Sequence, residues 1–256
     1  MGNFDNLGSK PASTGIKLIS NIFKMTSEQA EKISDEIMDL YKGYGGAEYA
    51  GERVTQLEHM VQAAQLAEEQ GYDEEVILAA FLHDIGHISE AAKENGKIAG
   101  GEDGKNAAGE EGKNAAGEDG KSVLSEDRKM GDFGIKDHEE LGAEFLREKG
   151  FSRKVVRLVE SHVEAKRYLT LRDPAYYEQL SDASRKTLEY QGGPMTAEEA
   201  DAFEQYPLFD LIIKMRNWDE QAKIEHKPLP DLSRYRDMMV HHLETVGKTK
   251  KTNPLL

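Results

Sequence analysis

An apolar stretch of this chain ends in residues that could bind metal ions. Residues 76–82, all aliphatic or aromatic, lead directly into His83 and Asp84. His87 follows one helical turn later, and His59 lies on the preceding predicted helix. Unpaired polar groups in an apolar setting are costly, and a bound metal ion would offset that cost. Histidine and carboxylate ligands suit iron, manganese or zinc, and one aspartate can bridge two ions.

Three further residues could complete such a site. His138 follows a polar segment, His162 lies on a helix rich in valine, and Asp219 lies late in another apolar helix. A single helical histidine is more often an ordinary core or surface residue than a ligand, so the adjacent His83–Asp84 pair carries the argument. The remaining histidines lie in polar segments near the C-terminus, and we expect them at the surface: His226, His241 and His242.

Composition excludes several classes of function. The 256 residues carry a net charge of −15, from 33 basic and 48 acidic residues, which argues against a nucleic-acid-binding protein. An anionic substrate stays possible, because a metal and a few cations can reverse the field inside one pocket. The chain has no cysteine, which excludes disulfides, thiolate zinc sites and iron–sulfur clusters.

The sequence predicts a protein that is neither bound to a membrane nor exported. No run approaches the roughly 18 apolar residues of a transmembrane helix, and the N-terminus has no signal-peptide pattern. We therefore expect a cytoplasmic enzyme. The sequence gives no indication of the oligomeric state.

The periodicity of apolar residues predicts an all-α fold. The first helix begins near Thr26, where Gln29 can complete a capping box, and stops at the glycines of residues 43–46. We find no alternating pattern typical of a strand. Further helices are predicted over residues 54–70, 73–87, 137–149, 152–165, 178–190, 196–203, 206–224 and 231–245.

A low-complexity segment interrupts the helical pattern. Residues 101–121 repeat an eight-residue unit, Gly-Glu-Asp-Gly-Lys-Asn-Ala-Ala, with no aromatic or β-branched residue. Such a segment buries too little apolar surface to offset the entropy of ordering it. We expect a disordered insertion, and a lid over the site is the alternative. The predicted organisation is a flexible leader at 1–25, one helical domain at 26–246 interrupted at about 90–130, and a tail at 247–256.

The order of the candidate ligands resembles that of the HD-domain superfamily, in which a helical bundle binds one or two metal ions. Three motifs are similar to a narrower branch, the mixed-valent diiron HD oxygenases of the PhnZ and TmpB type, which cleave organophosphonates. The resemblance covers about residues 26–246. Its motifs are Tyr49-Ala-Gly-Glu52-Arg-Val-Thr-Gln-Leu-Glu-His59, Leu82-His83-Asp84-Ile-Gly-His87 and Trp218-Asp219-Glu-Gln-Ala-Lys223.

This resemblance implies two iron ions, Fe(II) and Fe(III), with dioxygen as co-substrate. Asp84 would bridge them, one iron would also be bound by His59, His83 and Asp219, and the other by His138 and His162. The second iron would keep open positions for substrate and oxygen, as a catalytic metal site requires.

Four residues are candidate substrate contacts. His87, Lys166 and Arg216 lie three or four residues from a candidate ligand, which on a helix places them beside it. They would supply donors for a phosphonate dianion, although solvated helix charges are the alternative for the lysine and the arginine. Ser184 is at a position where the family has a hydroxyl that contacts phosphonate.

Tyr49 and Glu52 resemble a family pair that covers the open iron before the substrate arrives and then moves away. The glycines at positions 46 and 51 would permit that movement. The alternative is an ordinary loop tyrosine.

The predicted function is cleavage of a carbon–phosphorus bond with dioxygen. The substrate would be 2-amino-1-hydroxyethylphosphonate or its N-trimethyl analogue, and the products glycine or glycine betaine, with phosphate. An acidic or aromatic sub-pocket would suit either cationic end group, with Glu52, Tyr168, Tyr176 and Tyr177 as candidates. One alternative is a metal-dependent phosphohydrolase acting on a phosphate ester or a nucleotide. Another is a regulatory protein with a decayed site, but the complete ligand set argues against it.

Overall fold

The computed structural model describes residues 25–49, 51–96 and 128–249. The predicted repeat and nearly all of the predicted leader and tail lie outside these residues. Within them the chain forms helices, one short 3₁₀ helix at Gly131–Phe133 and two isolated β-bridges, without a strand. The α-helices are α1 Ser27–Tyr44, α2 Gln56–Glu69, α3 Glu74–Leu82, α4 Ile85–Glu94, α5 His138–Glu148, α6 Arg153–Glu160, α7 His162–Arg172, α8 Pro174–Gln179, α9 Asp182–Tyr190, α10 Ala197–Phe203, α11 Phe209–Gln221 and α12 Ser233–Thr249.

The ends of several helices follow from local sequence. Thr26 accepts a hydrogen bond from the backbone of Gln29, whose side chain accepts in return from the backbone of Thr26, which is the predicted capping box. Ser152 and Thr196, the first residues of two predicted helices, cap α6 and α10.

Two predicted helices are broken in the middle. The helix predicted at 73–87 ends at Leu82 and restarts at Ile85, and the helix predicted at 152–165 breaks at Ser161. Apolar residues continue on both sides of each break, so their periodicity alone predicts one continuous helix. A third helix, predicted at 178–190, begins only at Asp182, because Leu180 and Ser181 adopt extended backbone between α8 and α9.

Helix α3 forms the centre of the bundle. Its residues 76–82 are all buried, and it packs against α2, α6, α11 and α12. A helix that is apolar on every side is stable only when other helices cover all of its faces. The hydroxyl of Tyr41 donates a hydrogen bond to the backbone oxygen of Phe81 at 2.7 Å, and the Phe81 ring stacks on Tyr235 with centroids 4.5 Å apart. The end of α3 is therefore fixed from several directions.

Helices α4 and α5 approach each other through two glycines. A Cβ atom built on Gly86 would lie 1.9 Å from the backbone oxygen of His138, and one on Gly142 would lie 3.1 Å from the backbone nitrogen of Gly86. Only hydrogen fits at the Gly86 contact. The close approach brings the start of α4, with Asp84 before it, next to His138.

The prediction that all three C-terminal histidines lie at the surface is wrong for His242. Its side chain is buried, its Nε2 accepts a hydrogen bond from the backbone nitrogen of Ser152 at 3.1 Å, and its ring stacks on Phe151. The polar flanking sequence misled the prediction, because position 242 lies on the inner face of α12. His226 and His241 are exposed as predicted.

The described residues that border the predicted insertion are ordered parts of the fold. Helix α4 continues to Glu94, and residues 128–137 form a short turn closed by the bridge between Lys129 and Ile135. None of the described helices is both long enough and apolar enough to cross a lipid bilayer.

Candidate metal centre

Six buried histidine and aspartate side chains converge from five helical elements. His59 lies in α2, His83 and Asp84 at the break between α3 and α4, His138 and His162 at the first positions of α5 and α7, and Asp219 in α11. All six are at most 5% exposed. They are the six residues that the sequence predicts as ligands.

Three of them form one half of the cluster. The Nε2 atoms of His59 and His83 are 3.1 Å apart. Oδ1 of Asp219 lies 3.3 Å from Nε2 of His59 and 3.9 Å from Nε2 of His83. These three ligand atoms could coordinate one ion.

His138 and His162 form the other half. Their Nε2 atoms are 3.0 Å apart, and each faces Oδ1 of Asp84, at 3.2 Å for His138 and 3.4 Å for His162. The second oxygen of Asp84, Oδ2, faces the first half instead, at 3.3 Å from Nε2 of His83 and 3.6 Å from Nε2 of His59. One carboxylate thus has an oxygen directed at each histidine pair, as a bridging ligand requires.

The other ring nitrogen of each histidine faces a backbone oxygen, which fixes the tautomer. A neutral ring that donates from Nδ1 leaves the lone pair of Nε2 available for a metal. The Nδ1 contacts are His59 with Ala222 at 3.0 Å, His83 with Ala80 at 2.8 Å, His138 with Ile135 at 3.1 Å and His162 with Val159 at 2.7 Å.

The residues fit a pair of cations. Oδ2 of Asp84 and Oδ1 of Asp219 are buried without a hydrogen-bond partner among the described residues, which is costly for a carboxylate oxygen. Without a metal, a proton must lie between the two Nε2 atoms of each histidine pair, which are 3.1 and 3.0 Å apart. Bound metal ions would satisfy both the oxygens and the nitrogens. The cluster lacks thiolate ligands, so its chemistry suits iron, manganese or zinc.

His87 also lies close to Asp84 and His138, within reach of a common ion. Its Nδ1, however, accepts a hydrogen bond from the backbone nitrogen of Ile135 at 3.3 Å. Burial and the neighbouring His138 hold the pKa of His87 well below its usual value, so the ring is neutral and carries its hydrogen on Nε2. We therefore favour His162 as the ligand and His87 as a donor beside it.

A pocket opens onto the cluster beside the second histidine pair. All six residues that the sequence predicts as catalytic or substrate-binding line it: Tyr49, Glu52, His87, Lys166, Ser184 and Arg216. Met130 and Phe133, from the turn that follows the predicted insertion, also line it, and composition alone gave no indication of them. Of the tyrosines considered for the far end of the substrate, Tyr168, Tyr176 and Tyr177 are not among the lining residues.

Lys166 is buried in the pocket wall without an ion pair among the described residues. It lies one turn after His162 on α7, is 3% exposed, and donates a hydrogen bond to Oγ1 of Thr187 at 2.9 Å. Burial, together with the nearby charge of Arg216, lowers the pKa of Lys166 to about 7. This is not the solvated helix charge that we considered as the alternative.

Arg216 is buried too, but its guanidinium is already bound within the protein. It forms ion pairs with Oδ2 of Asp219 and with Glu220, and its Nε donates to the hydroxyl of Tyr176 at 2.8 Å. The pair with Oδ2 turns Oδ1 of Asp219 towards His59 and His83. Arg216 therefore orients a candidate ligand in addition to lining the pocket.

Tyr49 covers the first half of the cluster, and not the second half, where the resemblance places the open iron. Its ring stacks on His59 with centroids 3.8 Å apart and an angle of 15° between the planes. Burial and the charge of Asp84 hold the pKa of Tyr49 well above its usual value. Gly51, at φ +78°, packs against the ring of Phe133, where an added Cβ would lie 3.3 Å from Cε1. This glycine lets the loop between α1 and α2 fit closely against the pocket.

Comparison with known proteins agrees with this cluster. A family model described as the HD domain matches residues 57–200. The chain belongs to the HD domain family. The match includes five of the six candidate ligands, and Asp219 lies beyond its end. Family membership accounts for the all-α bundle and for the pairing of His83 with Asp84.

Three relatives align with most of the chain. An uncharacterised protein of Acanthamoeba polyphaga mimivirus is 38% identical, over 90% of this chain and 94% of its own length. The [1-hydroxy-2-(trimethylamino)ethyl]phosphonate dioxygenase (glycine-betaine-forming) of Leisingera caerulea is 37% identical, over 81% and 88%. The hydroxymethylphosphonate dioxygenase of Gimesia maris is 32% identical, over 88% and 95%. The resemblance to phosphonate-cleaving HD oxygenases is thereby confirmed.

Proposed function

We propose that this protein is an iron-dependent oxygenase that cleaves the carbon–phosphorus bond of a small α-hydroxyphosphonate with dioxygen. The observation that carries the phosphonate assignment is Lys166. A buried ammonium group without a carboxylate partner tends to lose its proton, as the lowered pKa of Lys166 indicates, and a bound anion would keep it charged. A phosphonate seated beside His138 and His162 would supply that anion.

The candidate ligands divide into two sets that would hold two irons. His59, His83 and Asp219 would bind one, His138 and His162 the other, with Asp84 shared between them. A mixed-valent pair of irons, when bound, supplies the redox chemistry with dioxygen, and the protein supplies binding and orientation. The second set has fewer protein ligands and adjoins the pocket, so substrate would approach there.

The side chains around the pocket have distinct tasks. Lys166 would donate hydrogen bonds to the phosphonate oxygens, and charge-assisted bonds of this kind are the strong ones. His87 would donate from Nε2, because its Nδ1 already accepts from Ile135. The hydroxyl of Ser184 would contact the phosphonate as well. Half-buried Tyr49 would shield the cluster from water until the substrate displaces it.

The group beyond the reacting carbon would face the ring of Phe133, which lines the pocket and lies outside the loop that carries Tyr49 and Glu52. An aromatic face can accept a primary ammonium or a trimethylammonium group. We therefore propose 2-amino-1-hydroxyethylphosphonate or its N-trimethyl analogue as substrate. The carbon that carries the hydroxyl would become the carboxylate of glycine or glycine betaine, and the phosphonate would leave as inorganic phosphate.

The test is release of phosphate from purified, iron-loaded protein in air and under nitrogen. Three substrates would be compared: the amino compound, its N-trimethyl analogue and hydroxymethylphosphonate. We expect phosphate and a carboxylate to form from at least one, only in the presence of dioxygen. Release of phosphate from phosphate esters under nitrogen, with no oxygen-dependent reaction of any phosphonate, would refute the proposal in favour of a hydrolase.

A further inference from the structure

Lys223 follows the end of α11 and connects that helix to the loop that carries Tyr49. Its Nζ lies 3.0 Å from Oε1 of Glu52 and 3.1 Å from Oε2 of Glu220, and it donates to the hydroxyl of Ser184 at 3.2 Å. The side chain is 16% exposed. Glu220 and Ser184 hold the ammonium group from the helical side, so that it is presented to Glu52.

Glu52 is held on both sides. Besides Lys223, its Oε1 accepts a hydrogen bond from the hydroxyl of Ser181 at 2.6 Å. Ser181 is the N-cap of α9 and cannot move without disturbing that helix. Glu52 thus links the loop to α9 through a hydrogen bond from the Ser181 hydroxyl and to the end of α11 through the ion pair with Lys223.

The position of Glu52 determines that of Tyr49 through the backbone. The backbone nitrogen of Glu52 donates to the backbone oxygen of Tyr49 at 2.7 Å, and the nitrogen of Tyr49 donates to the oxygen of Val54 at 2.9 Å. The two residues therefore belong to one hydrogen-bonded turn. When Glu52 is released from its partners, the turn can leave as a unit, and the Tyr49 ring leaves its place on His59.

We propose that Lys223 is a positioning residue that, through Glu52, holds Tyr49 over the metal ligands and sets how readily the loop opens. The consequence for substrate entry rests on the proposed function, whereas the consequence for the loop does not. A ligand that needs the open loop binds with an affinity reduced by the fraction of molecules that are open. Weakening the ion pair should therefore tighten the apparent binding of substrate.

Cleavage by trypsin after Arg53 reports on the loop in the full-length protein. The Arg53 side chain is 84% exposed, but cleavage needs the backbone of the turn to open, and its rate follows the open population. In K223M we expect cleavage between Arg53 and Val54, followed by mass spectrometry, to be about fivefold faster, as for loss of one partly buried ion pair. K223R should restore nearly the wild-type rate.

Two further variants sharpen the test. K227M changes a lysine four residues along the same connection and should leave cleavage unchanged. E52Q breaks the ion pair from the loop side, should also accelerate cleavage, and replaces K223M if that variant does not fold. A cleavage rate equal to wild type in the folded variants would overturn the proposal, even if no phosphonate reacts.

Substrate binding separates positioning from direct contact. Titration of iron-loaded K223M with the α-hydroxyphosphonate under nitrogen should give a dissociation constant up to about fivefold lower than that of wild type, the same factor as the loop opening. A higher dissociation constant would instead make Lys223 a ligand of the phosphonate and overturn its assignment as a positioning residue.

Discussion

Replacement of Lys166 by methionine tests the charge balance of the pocket directly. Methionine matches the length of the lysine side chain but carries no charge. In the folded protein the pKa of Lys166 is lowered to about 7, whereas a lysine in an unfolded chain has a pKa of roughly 10.4. Between these values the unfolded chain binds more protons than the folded protein, so burying Lys166 destabilises the metal-free protein.

The difference between the folded and unfolded pKa values of Lys166 determines how the destabilisation depends on pH. The destabilisation by Lys166 is largest at low pH and disappears as the pH approaches the pKa of the unfolded chain. From pH 7 to pH 9 it falls by about 2 kcal/mol. We therefore expect metal-free K166M to be more stable than wild type at pH 7, with the gap narrowing by about that amount at pH 9.

Unfolding by urea, followed by circular dichroism at several pH values, measures this difference. K186M, which removes an exposed lysine on α9, serves as the control and should follow wild type in its pH dependence. If the stabilities of K166M and wild type change in parallel from pH 7 to pH 9, Lys166 is not a buried charge and the reasoning fails.

K166M should raise the stability of the metal-free protein but weaken the binding of a phosphonate ligand. A hydrogen bond to a charged group contributes about 1.5–3 kcal/mol, so K166M should bind an α-hydroxyphosphonate roughly tenfold to more than a hundredfold more weakly. Both irons should stay bound, because lysine is not a ligand here. A titration of the iron-loaded protein under nitrogen gives the midpoint, and an unchanged midpoint would remove the main support for a phosphonate substrate.

Three other perturbations test the centre and its surroundings. Asp84→Ala should remove metal from both sites, since one carboxylate serves both, and elemental analysis that finds two fully occupied irons would disprove the bridging role. Gly86→Ala should destabilise the protein by about 3 kcal/mol or more, because its Cβ would overlap the backbone oxygen of His138; Gly43→Ala, with nothing within 4 Å, is the control in thermal unfolding. Replacing residues 101–121 by a short Gly-Ser linker should leave iron content and turnover within a few-fold, and lost turnover with normal iron content would support the lid.

The six candidate ligands that the structure brings together can be found from the sequence because the pattern around them is local and unusual. A histidine followed by an aspartate at the end of an apolar helix has few structural explanations, and the other ligands also lie in apolar helical patterns. The breaks in the helices are different. Asp84, Gly86 and Ser161 have low helix propensity. Such residues also occur inside helices, so the sequence alone does not place a break beside His83 or His162.

Contacts between distant segments were also beyond the reach of sequence patterns. The Nδ1 of His59 faces the oxygen of Ala222 across the bundle, and His87 depends on Ile135 from the turn after the insertion. Glu220 and Lys223 appear in a quoted motif, but only the structure shows that they join Arg216, Ser184 and Glu52. Sequence patterns assign them no role because their partners lie on other elements.

The breaks in the helices determine the tautomers of two histidines, His83 and His162. The last four backbone oxygens of a helix have no partner within it, and Ala80 and Val159 provide two such oxygens, near the ends of α3 and α6. Those oxygens face Nδ1 of His83 and His162. A continuous helix would direct both oxygens to backbone nitrogens and leave each imidazole free to rotate. The C-terminal ends of helices also carry partial negative charge, which favours positive charge nearby. A histidine at such an end is therefore well placed to bind a metal cation. The breaks therefore orient the ligands, and they do so before any metal binds.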